Sequence, residues 1–203
     1  MIIIITNLHK KDLTLNTNKT HIGNALDILK TFPDQWVNCI VTSPPYFGLH
    51  DYGHSDQVGL ERTPTLYVER LVSIFEEARR VLKDDGTLWI IIGDSYVGGK
   101  GKSGSKGSAN QDDRHRRGES LNTAQQTLGG QKKTRPTDDR QMMKDENLKP
   151  KDLIGIPWRV ALALQQNGWY LRSDIIWNKP SSMPESVKDR VTRSHEYNFM
   201  LTP

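Results

Sequence analysis

Val37-Asn-Cys-Ile-Val-Thr-Ser-Pro-Pro-Tyr46 is an apolar, β-branched run that stops at two consecutive prolines. Valine, isoleucine and threonine favour strands, and the run predicts a strand over Val37–Thr42. The strand must end at Pro44, because proline has no N–H to donate to a neighbouring strand. In open α/β sheets, ligands bind beyond the carboxyl ends of the strands. Residues 43–46 are therefore the first place to look for a functional site.

Around this strand, the sequence alternates between predicted strands and helices, the pattern of a mostly parallel α/β sheet. The other predicted strands are Thr20–Asn24, Thr87–Ile92, Trp169–Trp177 and Ser194–Leu201, with at most an edge strand in the first eighteen residues. The predicted helices are Ala25–Lys30, a helix capped by Thr63 and ended by Asp84-Asp85-Gly86, and Pro157–Gln166. At 203 residues, the chain has the size of one α/β domain.

Composition excludes several classes of protein. Hydrophobic residues make up 35% of the chain, and no apolar run approaches the roughly 20 residues of a membrane span. The opening Met1–Ile5 is too short for a signal peptide. A single cysteine, Cys39, excludes an internal disulfide and a cysteine metal cluster. We therefore expect a cytoplasmic protein with no metal centre.

The positive charge is concentrated in one segment, residues 98–150. It carries 12 Lys and Arg against 7 Asp and Glu, whereas the whole chain has a net charge of only +4. The segment opens on a Gly, Ser and Lys-rich stretch, contains no aromatic residue and has few large apolar ones, so it predicts a flexible insertion within a single domain spanning 1–203. Two interpretations remain open: an insertion without a task, or a mobile basic arm that contacts phosphates.

The turn after the first strand can hold a planar ring that bears an amino group. The ring of Tyr46 offers a stacking face, and the Ser43 hydroxyl and the Pro44 carbonyl can accept hydrogen bonds from an exocyclic amine. A tight structural turn is the alternative explanation for any pair of prolines.

The full string Val41-Thr-Ser-Pro-Pro-Tyr46 resembles the signature of DNA amino-methyltransferases, in the form associated with cytosine N4 methylation. Further segments that match this family are Gly23-Asn-Ala-Leu-Asp27, Val81–Leu88, Gly93-Asp-Ser-Tyr96, Leu148–Trp158, Gly168–Arg172, Ile176–Pro180, Pro184–Arg190 and Ser194-His-Glu-Tyr197. The resemblance covers about Gly23 to Leu201 and is weakest in the basic insertion.

The resemblance implies a Rossmann-like fold that transfers a methyl group from S-adenosylmethionine to the exocyclic N4 amine of cytosine in double-stranded DNA, in a restriction-modification or phage/host modification context. The residues implied in catalysis are Ser43, Pro44, Pro45 and Tyr46. Adenine N6 is the alternative target, because both amines need the same geometry. Cytosine C5 methylation would require a Pro-Cys loop, whereas Cys39 lies inside the predicted strand.

The same resemblance implies a flipped target base, with Tyr46 as stacking platform and Trp177 as a second wall. The residues implied near the DNA or the target are Lys179, Arg190, Arg193, His195 and Glu196. Those implied near the cofactor are Gly23, Asn24, Ala25, Gly93 and Asp94, although the family often has Asp where this chain has Asn24. A core tryptophan, surface charges and a strand-terminating turn are the structural alternatives for these groups.

One expected motif is absent: no Phe-x-Gly-x-Gly cofactor loop occurs in the sequence. In the permuted type of this family, that loop and its strand follow the segment that resembles Ser194–Leu201. We therefore expect an incomplete methyltransferase fold that lacks most of the cofactor pocket. The chain would then be a truncated gene product, one half of a split enzyme with a second chain, or a product of misplaced gene boundaries. A non-catalytic remnant with weak DNA binding is the further alternative.

Overall fold

The computed structural model describes residues 2–6, 20–98, 143–182, 185 and 187–203. The described strands and helices alternate along much of the chain. In chain order they are β1 (Ile2–Thr6), α1 (Ala25–Lys30), β2 (Val37–Ser43), α2 (Pro64–Val81), β3 (Leu82–Ile92), α3 (Ile156–Gln166), β4 (Tyr170–Asn178) and β5 (His195–Thr202).

The strands form one sheet in the order β1-β2-β3-β5-β4. Only the β2–β3 pairing between the described strands is parallel, and the other three are antiparallel. The expectation of a mostly parallel sheet is therefore wrong for this part of the chain. For β4 and β5 the reason is that no helix of the described residues lies between them, and parallel neighbours need a crossover connection. The possible edge strand in the first eighteen residues is confirmed as β1.

Helices α2 and α3 cover one face of the sheet. Alternate residues of the central strands point to this face and are fully buried, among them Ile40, Leu88, Ile90, Phe199 and Leu201. Helix α2 begins as predicted, with the Thr63 hydroxyl accepting from the Leu66 N–H and Pro64 in the first turn. The core therefore lies between this face and the two helices.

Strand β3 begins at Leu82, five residues before the predicted start. Helix α2 passes straight into the strand, which pairs at once with Val37 of β2 and shifts register before Cys39. Gly86 permits this path: a Cβ there would lie 2.7 Å from Leu82 Cγ and 2.9 Å from the Lys83 carbonyl oxygen. The Asp84-Asp85-Gly86 string therefore bends a strand instead of ending a helix.

The predicted strand over Thr20–Asn24 is not formed. Asn24 instead caps helix α1, because its Oδ1 accepts from the Leu26 N–H at 2.9 Å. The preceding residues have no strand partner among the described residues, and Ile22 is 97% exposed. The other predicted elements form, with their ends shifted by one residue or so.

After β3, residues 95–97 are hydrogen-bonded to residues 151–154, which lie on the other side of the predicted insertion. The Val97 N–H donates to the Asp152 carbonyl, and the Ile154 N–H donates to the Ser95 carbonyl, both at 2.9 Å. Most of the predicted flexible insertion, residues 99–142, lies outside the described residues. Its last part, residues 143–150, packs on the core through Met143 and Leu148.

Within the described residues, no helix is both long enough and apolar enough to cross a membrane. Cys39 is a free, partly buried cysteine on β2.

Candidate functional site

Four strand ends meet at one edge of the sheet. β2 and β3 run parallel, so their carboxyl ends, Ser43 and Ile92, lie side by side. β5 is antiparallel to β3 and starts there, with Tyr197 opposite Ile92, and β4 ends beside it. The sheet therefore gathers, from four separate stretches of sequence, the residues predicted to carry the chemistry.

The Ser-Pro-Pro-Tyr turn is anchored from helix α2. The hydroxyl of Tyr67, a residue with no exposed surface, donates to the Pro45 carbonyl at 2.8 Å. Burial, followed by the nearby charge of Glu61, raises the pKa of Tyr67, so its hydroxyl stays protonated and remains a donor. Tyr67 therefore bonds the Pro45 carbonyl and not the Pro44 carbonyl, which is the predicted acceptor for an amine. Ser43 is exposed at the end of the strand.

Tyr46 is held by residues from three strands. Its hydroxyl lies within hydrogen-bonding reach of the side chains of Glu196 and Ser43. Burial, the Glu196 charge and the Glu196 hydrogen bond raise the pKa of Tyr46 to about 12, and the Ser43 hydrogen bond opposes them. The ring lies against Gly93, where a Cβ would approach Tyr46 Cε2 to 2.7 Å. We refer to Ser43, Tyr46, Gly93 and Glu196 as the strand-end cluster.

Trp177 and Lys179 flank this cluster. Trp177 is the register partner of Glu196, so the two side chains lie on one face of the sheet, and the indole is 52% exposed. The Lys179 ammonium forms an ion pair with the Glu196 carboxylate. Lys179 is fixed further by its backbone N–H, which donates to the Ser194 carbonyl at 2.7 Å.

His195 lies on the opposite face from Glu196, because neighbouring strand residues point to opposite sides. Its ring packs edge-on against Tyr197, with the centroids 5.3 Å apart, on the side that α3 covers. The structure therefore does not bring His195 to the strand-end cluster.

Asp94 joins the end of β3 to the start of helix α3. Its carboxylate, only 2% exposed, accepts from the backbone N–H groups of Ser95, Gly155 and Ile156 at 2.8 to 3.1 Å. Burial raises the pKa of Asp94, against the opposing effects of these N–H groups and of Arg193. The Arg193 guanidinium lies 3.8 Å from the same carboxylate.

Arg190 is the second arginine at this edge, and it also has partners within the chain. Its guanidinium carbon lies 3.7 Å from the centroid of the Tyr96 ring, and the group forms an ion pair with Glu185. Both predicted DNA-contacting arginines therefore already have internal contacts.

The predicted cofactor group Gly23–Ala25 lies at the start of helix α1. Besides capping the helix, Asn24 donates from its Nδ2 to the Asp56 carboxylate at 2.9 Å. Asp56 in turn pairs with Arg70 of helix α2, which also reaches the Gln57 carbonyl in the loop after the Ser-Pro-Pro-Tyr turn. Among the described residues, Asn24 and Asp94 share no partner, so these contacts link Asn24 to that loop and not to Asp94.

Sequence reasoning missed Tyr67 and Arg70. Tyr67 follows the apolar spacing of α2 and looks like any core aromatic residue, while Arg70 looks like a surface charge on the same helix. No local signal identifies them, because each acts on a loop brought close only by the fold. Among the described residues, no group of three or more His, Cys, Asp or Glu side chains is arranged to hold a metal ion.

Comparison with known proteins connects this arrangement with DNA methylation. Residues 37–203 match the N6_N4_Mtase family model, described as DNA methylase. The chain is 52% identical to the Type II methyltransferase M.Cfr9I of Citrobacter freundii, over 98% of this chain and 59% of that protein. It is 46% identical to M.SmaI of Serratia marcescens, over 93% of this chain and 56% of that protein. The chain thus spans less than two thirds of these curated relatives.

Solved structures show the same fold. The PvuII DNA methyltransferase, a cytosine-N4-specific enzyme, superposes with a TM-score of 0.53 at 17% identity, over 90% of this chain and 48% of that one. TTHA0409 of Thermus thermophilus, solved in complex with S-adenosyl-L-methionine, gives 0.51 at 18% identity, over 90% of this chain and 54% of that one. The matching family model and the relatives together show that this chain belongs to the N6_N4_Mtase family of DNA methylases.

Proposed function

We propose that this chain carries the target-amine side of a Type II DNA methyltransferase that transfers a methyl group from S-adenosylmethionine to the N4 amine of cytosine in double-stranded DNA. The observation that carries the proposal is the Ser43–Tyr46 turn at the end of β2, with its exposed serine and its tyrosine fixed by Glu196. The Type II relatives support the restriction-modification context.

The chemical task is to make a poor nucleophile react. The lone pair of an exocyclic amine is delocalised into the base, so the nitrogen attacks a methyl donor only weakly. Two acceptors that hold the two amine hydrogens favour a pyramidal nitrogen with its lone pair pointing at the donor. The Ser43 hydroxyl oxygen and the Pro44 carbonyl supply these acceptors in our proposal, and no covalent enzyme intermediate is needed.

The amine of a cytosine inside a duplex does not reach such a turn, so the base must be flipped out of the helix. Tyr46 then stacks on the base, and the exposed indole of Trp177 provides a second wall on the same side of the sheet. His195, which lies on the other face, has no part in this arrangement.

S-adenosylmethionine supplies an electrophilic methyl group on a sulfonium. The residues of this chain fit the amine side of the reaction better than the cofactor side. Both polar atoms of the Asn24 side chain are already hydrogen-bonded, and the Asp94 carboxylate caps helix α3. We therefore assign to the chain only the edge of a cofactor site near Gly23–Ala25, and we propose that further residues, in the same or a second polypeptide, complete it.

The partner is duplex DNA, and we propose that its phosphates are met by basic groups at the strand-end edge. Lys179 is 45% exposed at this edge. Arg190 and Arg193 would have to exchange their internal contacts to bind a phosphate, so Lys179 is the better candidate of the three.

The test is identification of the methylated nucleoside. The chain is incubated with duplex DNA and S-adenosylmethionine labelled in the methyl group, alone and co-expressed with the part of M.Cfr9I that it does not match. The DNA is then digested to nucleosides. Labelled N4-methylcytosine supports the proposal, provided that Ser43→Ala abolishes it. Labelled N6-methyladenine would establish the adenine alternative, and no label in either arm would favour a non-catalytic remnant.

A further inference from the structure

Tyr46 sits in a chain of hydrogen bonds whose direction is forced at one end. The Glu196 carboxylate is ionised in its pair with Lys179, and an ionised carboxylate only accepts hydrogen bonds. The Tyr46 hydroxyl must therefore donate its single hydrogen to Glu196. Towards Ser43, the same oxygen is left with lone pairs alone, so the Ser43 hydroxyl donates to it.

This direction decides what Ser43 offers to a ligand. Once its hydrogen is used on Tyr46, the Ser43 oxygen presents only lone pairs to anything that binds at the exposed strand end. A serine hydroxyl that is free to rotate can present its hydrogen as well as its lone pairs. An amine that must be held by both hydrogens needs the acceptor.

Gly93 fixes the other half of the arrangement, the position of the ring. A Cβ at this residue would lie 2.7 Å from Tyr46 Cε2, 3.3 Å from Cδ2 and 3.4 Å from Cζ. The backbone of Gly93 is not in the left-handed region, so a side chain is excluded by the tyrosine ring and not by the conformation of the glycine. The ring is thus seated on the end of β3 while its hydroxyl is held from β5.

We propose that Glu196 and Gly93 are positioning residues that act through Tyr46: Gly93 seats the ring, and Glu196 directs the hydroxyl so that Ser43 becomes an obligate hydrogen-bond acceptor. The role of Ser43 as acceptor for the target amine rests on the proposed function. The seating of the ring and the direction of the hydrogen bonds do not. The two parts are therefore tested separately.

The first test concerns the ring and needs no catalysis. Gly93→Ala forces the alanine methyl group into the ring, so it lowers the urea midpoint of unfolding in the otherwise unchanged chain. In a Tyr46→Ala background the same change costs much less, because the space is empty. Equal losses in both backgrounds would show that Gly93 serves the backbone alone and would overturn its role.

The second test reads the phenol of Tyr46 by NMR of chain labelled at tyrosine 13Cζ, with the resonance assigned by its absence in Tyr46→Phe. The charged and titratable groups facing the phenol are Glu196, with Lys179 behind it, and Tyr67. Glu196→Gln removes the negative charge, so Tyr46 ionises at lower pH than in the unchanged chain, followed between about pH 8 and pH 11. Glu185→Gln, which loses a carboxylate paired with Arg190, leaves the resonance in place. An unaltered Tyr46 titration in Glu196→Gln would overturn the contact.

The third test reads the consequence in methyl transfer by the active form identified above. Tyr46→Phe lowers kcat by about tenfold to a hundredfold, with DNA affinity within about twofold, because Ser43 loses the group that takes its hydrogen. Glu196→Gln also lowers kcat, because the direction of the Tyr46 hydrogen bond is no longer forced; its DNA affinity is measured separately, since the change also releases Lys179. If Glu196→Gln shifts the Tyr46 titration but leaves kcat unchanged, the acceptor role of Ser43 is overturned, while the contact between Glu196 and Tyr46 stands. Absence of transfer in the unsubstituted protein would count against the proposed function, and the first two tests would still decide the positions of Gly93 and Glu196.

Discussion

Tyr67→Phe removes one oxygen atom from the core and isolates the bond that anchors the Ser-Pro-Pro-Tyr turn. Phenylalanine fills the same space, so the change leaves no cavity beyond the hydroxyl. What is lost is the 2.8 Å hydrogen bond from the Tyr67 hydroxyl to the Pro45 carbonyl. A buried acceptor left without its donor costs about 1–3 kcal/mol, and Pro45 is only partly buried, so we expect about 1–2 kcal/mol.

The assay is urea unfolding followed by circular dichroism. For a slope of about 2 kcal/mol per molar urea, the expected loss lowers the midpoint by about 0.5–1 M. Tyr170→Phe is the matched control: it makes the same chemical change at a residue that is 64% exposed on the edge strand β4. We expect that control to change the stability by no more than about 0.5 kcal/mol. Equal midpoints for the two variants would refute the anchoring role of Tyr67.

Three further predictions concern the residues that support this edge of the fold. Asn24→Asp replaces the amide that donates to Asp56 by a second carboxylate, so repulsion between the two carboxylates destabilises the chain at pH 7. The destabilisation is smaller in acid, where carboxylates are protonated, and thermal melts at pH 7 and in acid would show the difference. Gly168→Ala lowers the free energy of unfolding in urea by about 1–2 kcal/mol, because the residue has a φ of +98°, which side chains rarely adopt. A Cβ there would also lie 2.6 Å from a guanidinium nitrogen of Arg79, which would have to move. Glu146→Gln destabilises at pH 7: burial raises the pKa of Glu146, but hydrogen bonds and the Arg159 charge outweigh burial and lower it. A carboxyl group with a lowered pKa stabilises the folded chain at pH values above the ordinary carboxyl pKa, and this stabilisation is lost as the pH falls. The difference in stability between Glu146→Gln and the unchanged chain therefore shrinks below about pH 4.

Each of these predictions has an outcome that would contradict it. For Gly168→Ala the control is Gly155→Ala, which shares the positive φ but has no atom of the described residues within 4 Å of the new methyl group; an equally large loss there would mean that the contact with Arg79 has no effect. A pH-independent loss in Asn24→Asp would argue against repulsion with Asp56. The same deficit for Glu146→Gln in acid and at neutral pH would mean that the ion pair with Arg159 is not its source.

Local sequence was enough to place β2 and the turn that follows it, because β-branched residues and two prolines act over neighbouring positions. The parallel pattern also predicted that the carboxyl ends of β2 and β3 lie side by side, but the start of β5 reaches them only because β5 is antiparallel, which was not predicted. The early start of β3 could not be predicted in the same way, since it depends on pairing between Leu82 and Val37, which are far apart in sequence.

The candidate site shows the same division. Ser43, Tyr46, Gly93 and Glu196 were all singled out from motifs, but their mutual contacts depend on the register of β5 against its neighbours. His195 and Glu196 were grouped although strand alternation separates neighbouring residues, and that signal was present in the sequence. Tyr67 gave no signal, because its partner Pro45 is 22 residues away.

The pairing of residues 95–97 with residues 152–154 has a consequence for how this protein can vary. Hydrogen bonds bring the two segments together, and residues 143–150 pack on the core, so a change of length in the chain before residue 143 affects mainly the entropy of closing the loop. Each doubling in length of a flexible connection costs only about 0.6 kcal/mol in closure entropy. We therefore expect this fold to tolerate insertions and deletions here, because Asp94 and helix α3 are held in place by contacts of their own.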